Sequence, residues 1–390
     1  MINVEGQSLA QLHTRTSEKW TGSEPDVLPM PVAEMDFEID QSIKDRLHAL
    51  VDNSDTGYLG STKELEVNLA TFAKNRWNWE IDPDFIYTCG DVGIGMSEPT
   101  RMVVQPGEKI MINTPVYMNM RNWANRVLAE VVDAPMLKNG MHFTLDFEAI
   151  EAGYRNGVKI HYLCNPHNPT GTVFSSEELS RLADLAYKYG VMVFSDEIHG
   201  PIAYESSAFV PFLSVSEAAR SVGIAVTSAS KAWNLAGLKC AQIITADPKM
   251  KEMIDSMPKS VRFSASLFGS HANAVAYTAT EWLDAAIVTL DRNRRFLESE
   301  LSQKLPTVDY RIPDASYLGW LDISSLNLGE DPSAVILEKG RLLVSNGILF
   351  GPDSQNFVRI NFACSEEIIS EGLNRLSLAA QGSPGGNGNL

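Results

Sequence analysis

Three short segments hold residue types from which a reactive site can be built. Asn165-Pro166-His167-Asn168-Pro169-Thr170-Gly171 closes the apolar run that starts at Val158, and Ser195-Asp196-Glu197-Ile198-His199-Gly200 follows Val191 to Phe194. The third, from Ser228-Ala229-Ser230-Lys231 to Lys239, follows Gly223 to Val226. Each lies just past the carboxyl end of an expected strand, where open α/β sheets place their ligands. A lysine amine there can form a Schiff base with an aldehyde cofactor, and a buried carboxylate can keep a pyridine nitrogen protonated so that the ring accepts electrons. The hydroxyls of Ser228 and Ser230 and the Lys239 cation suit a phosphate. Singly, each segment has an ordinary reading: a solvated lysine, an aspartate capping a helix, a tight Asn-Pro turn. Their order along the chain is what points to a site.

The elements around these segments alternate. Short apolar runs at 109–112, 158–163, 191–194, 223–226 and 241–244 read as strands, with amphipathic helices between them. Ser61 to Glu64 has capping-box form ahead of Leu65, Leu69 and Phe72, and Ser175 to Glu178 opens a helix that Gly190 ends. Continuous apolar strands separated by helices predict a parallel sheet covered on both faces. The last third differs. One long helical pattern runs over 266–304, then short strands are expected at 310–323, 347–350 and 357–362, with a final helix after Ser365. The expected organisation is an N-terminal segment 1–48 that joins the small domain, a large domain 49–285, a small α+β domain 286–381 and a flexible tail 382–390.

Composition narrows the function classes. The 390 residues are 44% hydrophobic and 21% charged, the balance of a globular enzyme. With 32 basic and 49 acidic residues the net charge is −17, which disfavours nucleic acid and anionic membranes as partners. No run approaches the ~20 apolar residues of a membrane helix. The first residues have neither the basic start nor the apolar block of a secretory signal, so a cytoplasmic location is expected. Cys89, Cys164, Cys240 and Cys364 lie far apart, without metal-ligand spacing, and are expected to be reduced and buried, with no metal site.

Together with Leu28 to Phe37, and within it Val32-Ala33-Glu34-Met35-Asp36-Phe37, these segments resemble the fold-type-I, pyridoxal-phosphate-dependent aminotransferase superfamily over almost the whole chain. The finer resemblance is to its cystathionine β-lyase/C–S lyase branch, carried also by Cys164 to Gly171 and Asp196-Glu197-Ile198-His199. The resemblance implies a mostly parallel seven-stranded sheet between helices, and it implies roles. Lys231 would be the Schiff-base lysine and the base that takes the Cα proton, and Asp196 would pair with the pyridinium nitrogen. Asn168 would bond the ring 3′ oxygen and Tyr117 would stack on the ring. Ser228, Ser230, Lys239 and the backbone of Asp91-Val92-Gly93 would hold the phosphate. Arg359 would grip the substrate carboxylate, with Ala33 and Asn168 also beside the substrate. Tyr58 would reach the partner subunit's cofactor, making a homodimer with shared active sites.

His199 stands where typical aminotransferases have a tyrosine touching the ring 3′ oxygen, so the resemblance places it among the cofactor-binding residues and favours the lyase branch. Lys239 replaces a common arginine, and Pro31 and Glu34 replace the branch's usual Trp and Asp, so the substrate side-chain pocket departs from the branch pattern. The resemblance implies β-elimination from cystathionine or another S-substituted cysteine to a thiol, pyruvate and ammonia. Transamination with a 2-oxo acid needs the same residues and stays open, as does a regulatory role through a protein partner. The side-chain pocket is expected in loops around 31–37 and 119–125.

Overall fold

The structure, a computed structural model, describes residues 2–381; the expected tail 382–390 lies outside them. Seven strands form the central sheet: β1 (Ile86–Cys89), β2 (Lys109–Ile112), β3 (Glu130–Asp133), β4 (Val158–Cys164), β5 (Met192–Asp196), β6 (Gly223–Thr227) and β7 (Ala241–Ile244). Their order is β1-β7-β6-β5-β4-β2-β3. Only β7 runs antiparallel to its neighbours. The sheet is therefore mixed and mostly parallel. β4, β5 and β6 are buried almost throughout, as expected of strands covered on both faces. The sequence pattern missed β1 and β3. β3, Glu-Val-Val-Asp at the sheet edge, is only half-buried and carries a charge at each end.

A second sheet joins β8 (Asp309–Tyr310), β9 (Leu318–Asp322), β10 (Ser345–Asn346) and β11 (Phe357–Asn361) in the order β8-β9-β11-β10, all antiparallel. The N-terminal segment is tied to this part. Leu28–Pro29 pairs with Leu342–Leu343, the Asn361 amide donates to the Met30 carbonyl at 2.8 Å, and Thr289 donates to the Val4 carbonyl. The helix Gln41–Asp52 packs instead on the helix Leu267–Ala276, which also packs on the helix Lys63–Trp77.

Several local expectations give way to other contacts. Ser175 and Glu178 do form a reciprocal capping box, and Gly190 ends that helix at φ 67°. Ser61 and Glu64 do not: the cap is Thr62, and Glu64 turns away to pair with Arg46 at 2.9 Å. The long helical pattern breaks into Leu267–Ala276 and Thr280–Lys304, because Ala279 (φ −80°, ψ 54°) leaves the helical region and gives its carbonyl to the Trp233 indole. The segment Gly347–Phe350 is a 3-10 turn, not a strand. The Asn346 side chain accepts from the Ile348 amide and so starts the turn, and a Cβ at Gly347 would lie 2.1 Å from the Ser354 carbonyl oxygen, so only glycine fits there.

Candidate active site

The parallel strands deliver their carboxyl ends to one cleft of about 480 Å³, closed on the far side by Ser345 and Arg359 from the small sheet. Asp196 is the last residue of β5, Asn168 lies in the loop after β4, and Ser230 and Lys231 lie in the turn after β6. Tyr117 follows β2, and Asp91 to Gly93 follow β1. All of these line the cleft, together with Ala33, His199, Lys239 and Arg359.

Burial sets the electrostatics. Asp196 is 4% exposed, and desolvation raises its carboxyl to about 7. One of its oxygens accepts from the Ile198 amide at 3.1 Å; the other has no hydrogen bond among the described residues. Desolvation, with help from Arg359, lowers the Lys231 amine to about 8. Its Nζ donates to the Ala33 carbonyl at 2.8 Å. Burial likewise lowers Arg359 to about 10; it donates to Asn168 Oδ1 at 3.0 Å and to the Pro31 carbonyl at 2.8 Å, and its Nε has no partner. His199 is held neutral by burial, lowered to about 3, and its Nδ1 is also without a partner.

One end of the cleft is the N-terminus of the helix Val92–Val103. Asp91 caps it through the Ile94 amide at 2.9 Å, and Lys239 pairs with Asp91 at 3.3 Å. Free amide groups at such a terminus attract an anion. A Cβ on Gly93 would come within 2.7 Å of the Trp123 indole nitrogen, so glycine allows this close approach.

Two expected residues stay apart from the cleft. Ser228 caps the short helix Ala229–Ala232 by accepting from the Ser230 amide, and its hydroxyl donates to the Cys240 carbonyl at 2.6 Å. It is not among the lining residues. Tyr58 is 95% exposed in the connection 53–62 and also lies outside the cleft. The segment around 119–125 is a helix, Asn119–Arg126, where a loop was expected. It brings in two residues that the sequence reading missed. Asn119 donates to the Tyr117 hydroxyl at 2.6 Å, and Trp123 sits edge-on to the Tyr117 ring. Ser345 and Tyr317 were also missed; the Tyr317 hydroxyl donates to the Ala33 carbonyl at 3.0 Å. Tyr117-x-Asn119 was the available signal for Asn119. The bonds to backbone carbonyls had none.

A family model for aminotransferase class I and II matches residues 25–376. The chain belongs to the aminotransferase class I and II family. Within it, the chain is 34% identical to cystathionine beta-lyase of Corynebacterium glutamicum, over 95% of this chain and 98% of that one. It is 32% identical to cystathionine beta-lyase PatB of Bacillus subtilis, over 91% and 92%. The solved structure of cystalysin from Treponema denticola, which contains a pyridoxal 5′-phosphate cofactor, superposes with a TM-score of 0.90 at 26% identity, over 97% of this chain and 99% of that one.

The cleft of this family member fits that cofactor on its own chemistry. A buried carboxylate with an unsatisfied oxygen wants a cation such as a protonated ring nitrogen. Lys231 offers an amine that burial keeps partly unprotonated near neutral pH. The helix terminus at Val92, with Ser230 and Lys239, suits the phosphate, and the Asn168 Nδ2 remains free to donate to a ring oxygen. Among the described residues no three His, Cys, Asp or Glu side chains are grouped to hold a metal ion, and no helix is long and apolar enough to cross a membrane.

Proposed function

We propose that the protein is a pyridoxal-phosphate-dependent carbon–sulfur β-lyase that cleaves cystathionine or related S-substituted L-cysteines to a thiol, pyruvate and ammonia. The carrying observation is that an amine lowered to about 8, a buried carboxylate and a buried guanidinium with a free Nε line one cleft. The relatives named cystathionine beta-lyase, matched over nearly the whole chain, favour elimination over transamination.

When bound, pyridoxal phosphate supplies an electron sink for the pair left by the broken Cα–H bond. Asp196 would hold the positive charge of the ring nitrogen, and Tyr117 would offer its aromatic face to the ring. Arg359 takes the substrate α-carboxylate with its fork of N–H groups and so fixes which bond at Cα faces the base. Lys231 Nζ removes the Cα proton. Lys231 would return that proton to the sulfur leaving Cβ, giving the thiol, and the three-carbon enamine product takes up water to give pyruvate and ammonia.

Arg359→Lys keeps the charge but loses the planar fork. It is expected to raise KM for an S-alkyl cysteine about 10- to 100-fold while changing kcat less. An unchanged KM would remove Arg359 from carboxylate binding.

We also propose a homodimer in which Tyr58 reaches the partner's cofactor phosphate, and a cytoplasmic location. Supporting the first, the Tyr58 ring is 95% exposed and packs on little among the described residues, while Arg262 tethers its loop through the Gly60 carbonyl. Four free, buried cysteines agree with a reducing compartment. Light scattering should give twice the mass of one chain, and Tyr58→Phe should weaken cofactor retention on dialysis; a monomer with full retention would contradict the proposal.

The reading as a whole is tested by incubating the cofactor-loaded protein with L-cystathionine and, separately, an S-alkyl cysteine, and following thiol and pyruvate together. Equal yields of the two are expected. A 2-oxo acid that keeps its sulfur, with no free thiol, would identify an aminotransferase.

A further inference from the structure

The segment Pro31–Asp36 runs between the two parts of the site with almost every carbonyl engaged. The Pro31 carbonyl accepts from Arg359, and the Ala33 carbonyl accepts from both Lys231 and Tyr317. Asn361 donates to Val32 and Glu34 at 2.7 and 2.6 Å, and Asn234 makes a two-way bond with Met35. Lys231 belongs to the large-sheet turn and Arg359 to the small sheet. One six-residue stretch therefore holds a cation from each.

At the end of this stretch Asp36 is fully buried and paired with Lys19, itself 2% exposed, at 2.8 Å. Trp20 donates to the other Asp36 oxygen at 3.0 Å, and the Asp36 amide donates to the Ala363 carbonyl at 2.8 Å. A buried ion pair adds little stability over a well-packed apolar pair, but it fixes geometry, because each charge strongly disfavours any position without the other.

We infer that Lys19 and Asp36 are positioning residues for catalysis: their buried ion pair anchors the segment Pro31–Asp36 so that its Pro31 and Ala33 carbonyls set the Arg359 fork and the Lys231 amine. The N-terminal segment thereby becomes part of the active-site machinery. Because Lys231 and Arg359 are the base and the carboxylate anchor of the proposed lyase, the functional arm of the assignment rests on that reading; the geometric arm does not.

Removing one charge strands the other in the interior and threatens folding, so the informative variant is Lys19→Met/Asp36→Asn, which removes both and leaves an acceptor for Trp20. In the cofactor-free protein, the Met35 and Asp36 amides should exchange with deuterium at least about 10-fold faster than in the native chain. In the loaded enzyme, kcat/KM should fall roughly 10- to 100-fold, mostly through KM. Trp20→Phe, which deletes a single donor to Asp36, should move both readouts the same way by a smaller factor and serves if the double variant does not fold. Arg292→Ala, which breaks an exposed pair with Glu5 near the start of the chain, should move neither.

A folded double variant or Trp20→Phe protein with native exchange and native KM overturns the assignment. So does an equal KM rise in Arg292→Ala, which would mean general loosening. Faster exchange in a protein that shows no lyase activity even unmutated would keep the anchor and reject the lyase reading instead.

Discussion

Lys231→Ala is expected to lose about 10,000-fold or more in kcat for release of thiol from an S-alkyl cysteine, since in the proposed mechanism one side chain supplies both the covalent hold on the cofactor and the base. The fold should survive. Lys231 makes a single side-chain hydrogen bond, to the Ala33 carbonyl, and Tyr317 still donates to that oxygen after the change. The variant should also lose the absorbance band of a lysine-bound aldehyde. Added methylamine should restore part of the rate, because a free amine can take the proton that the missing Nζ would have taken. Activity within about tenfold of the native enzyme would show that another group is the base.

The second large effect concerns Asp196, in two measurements. Asp196→Asn keeps the shape but removes the charge that the proposed mechanism sets against the ring nitrogen, and kcat should fall about 100- to 1,000-fold, the range for deleting one preorganised electrostatic partner. The cofactor-free protein gives an independent readout. Desolvation raises Asp196 from 3.8 to about 7, so between those values the folded protein keeps a proton that the unfolded chain has released. Stability from this group is complete below the lower value and lost as pH rises through the upper one. Asparagine has no proton to lose. The cofactor-free variant should therefore gain thermal stability relative to the native protein on going from about pH 4 to about pH 7. The same difference in thermal midpoint at both pH values would contradict the buried-carboxylate account.

The chemistry of this site was more legible than its framing. Lys231, Asp196 and Asn168 each stand just past an apolar run that reads as a strand; singly each has an ordinary use, and it is the three together, in order along the chain, that point to a ligand site. Ser228 has the same form, yet its hydroxyl is consumed in capping the turn that carries Lys231. No spacing distinguishes those two fates. The carbonyls of Pro31 and Ala33 carry no side-chain identity, so their hold on Arg359 and Lys231 exists only once the chain is folded. The edge strand β3 and the turn at 347–350 escaped for a related reason: register and close backbone contacts decide them, and short sequences with mixed polarity do not. Glu64 illustrates the competition, since a sequence-local cap lost to an ion pair with Arg46 from another helix.

The most direct test of the central claim counts pyruvate released per enzyme site on prolonged incubation with an S-alkyl cysteine in the absence of any 2-oxo acid. Elimination returns the cofactor unchanged, so many equivalents of pyruvate, matched by thiol, are the predicted result. At most one equivalent of a 2-oxo acid per site, with the reaction then stalled until 2-oxo acid is added, would contradict the lyase assignment and make this protein an aminotransferase.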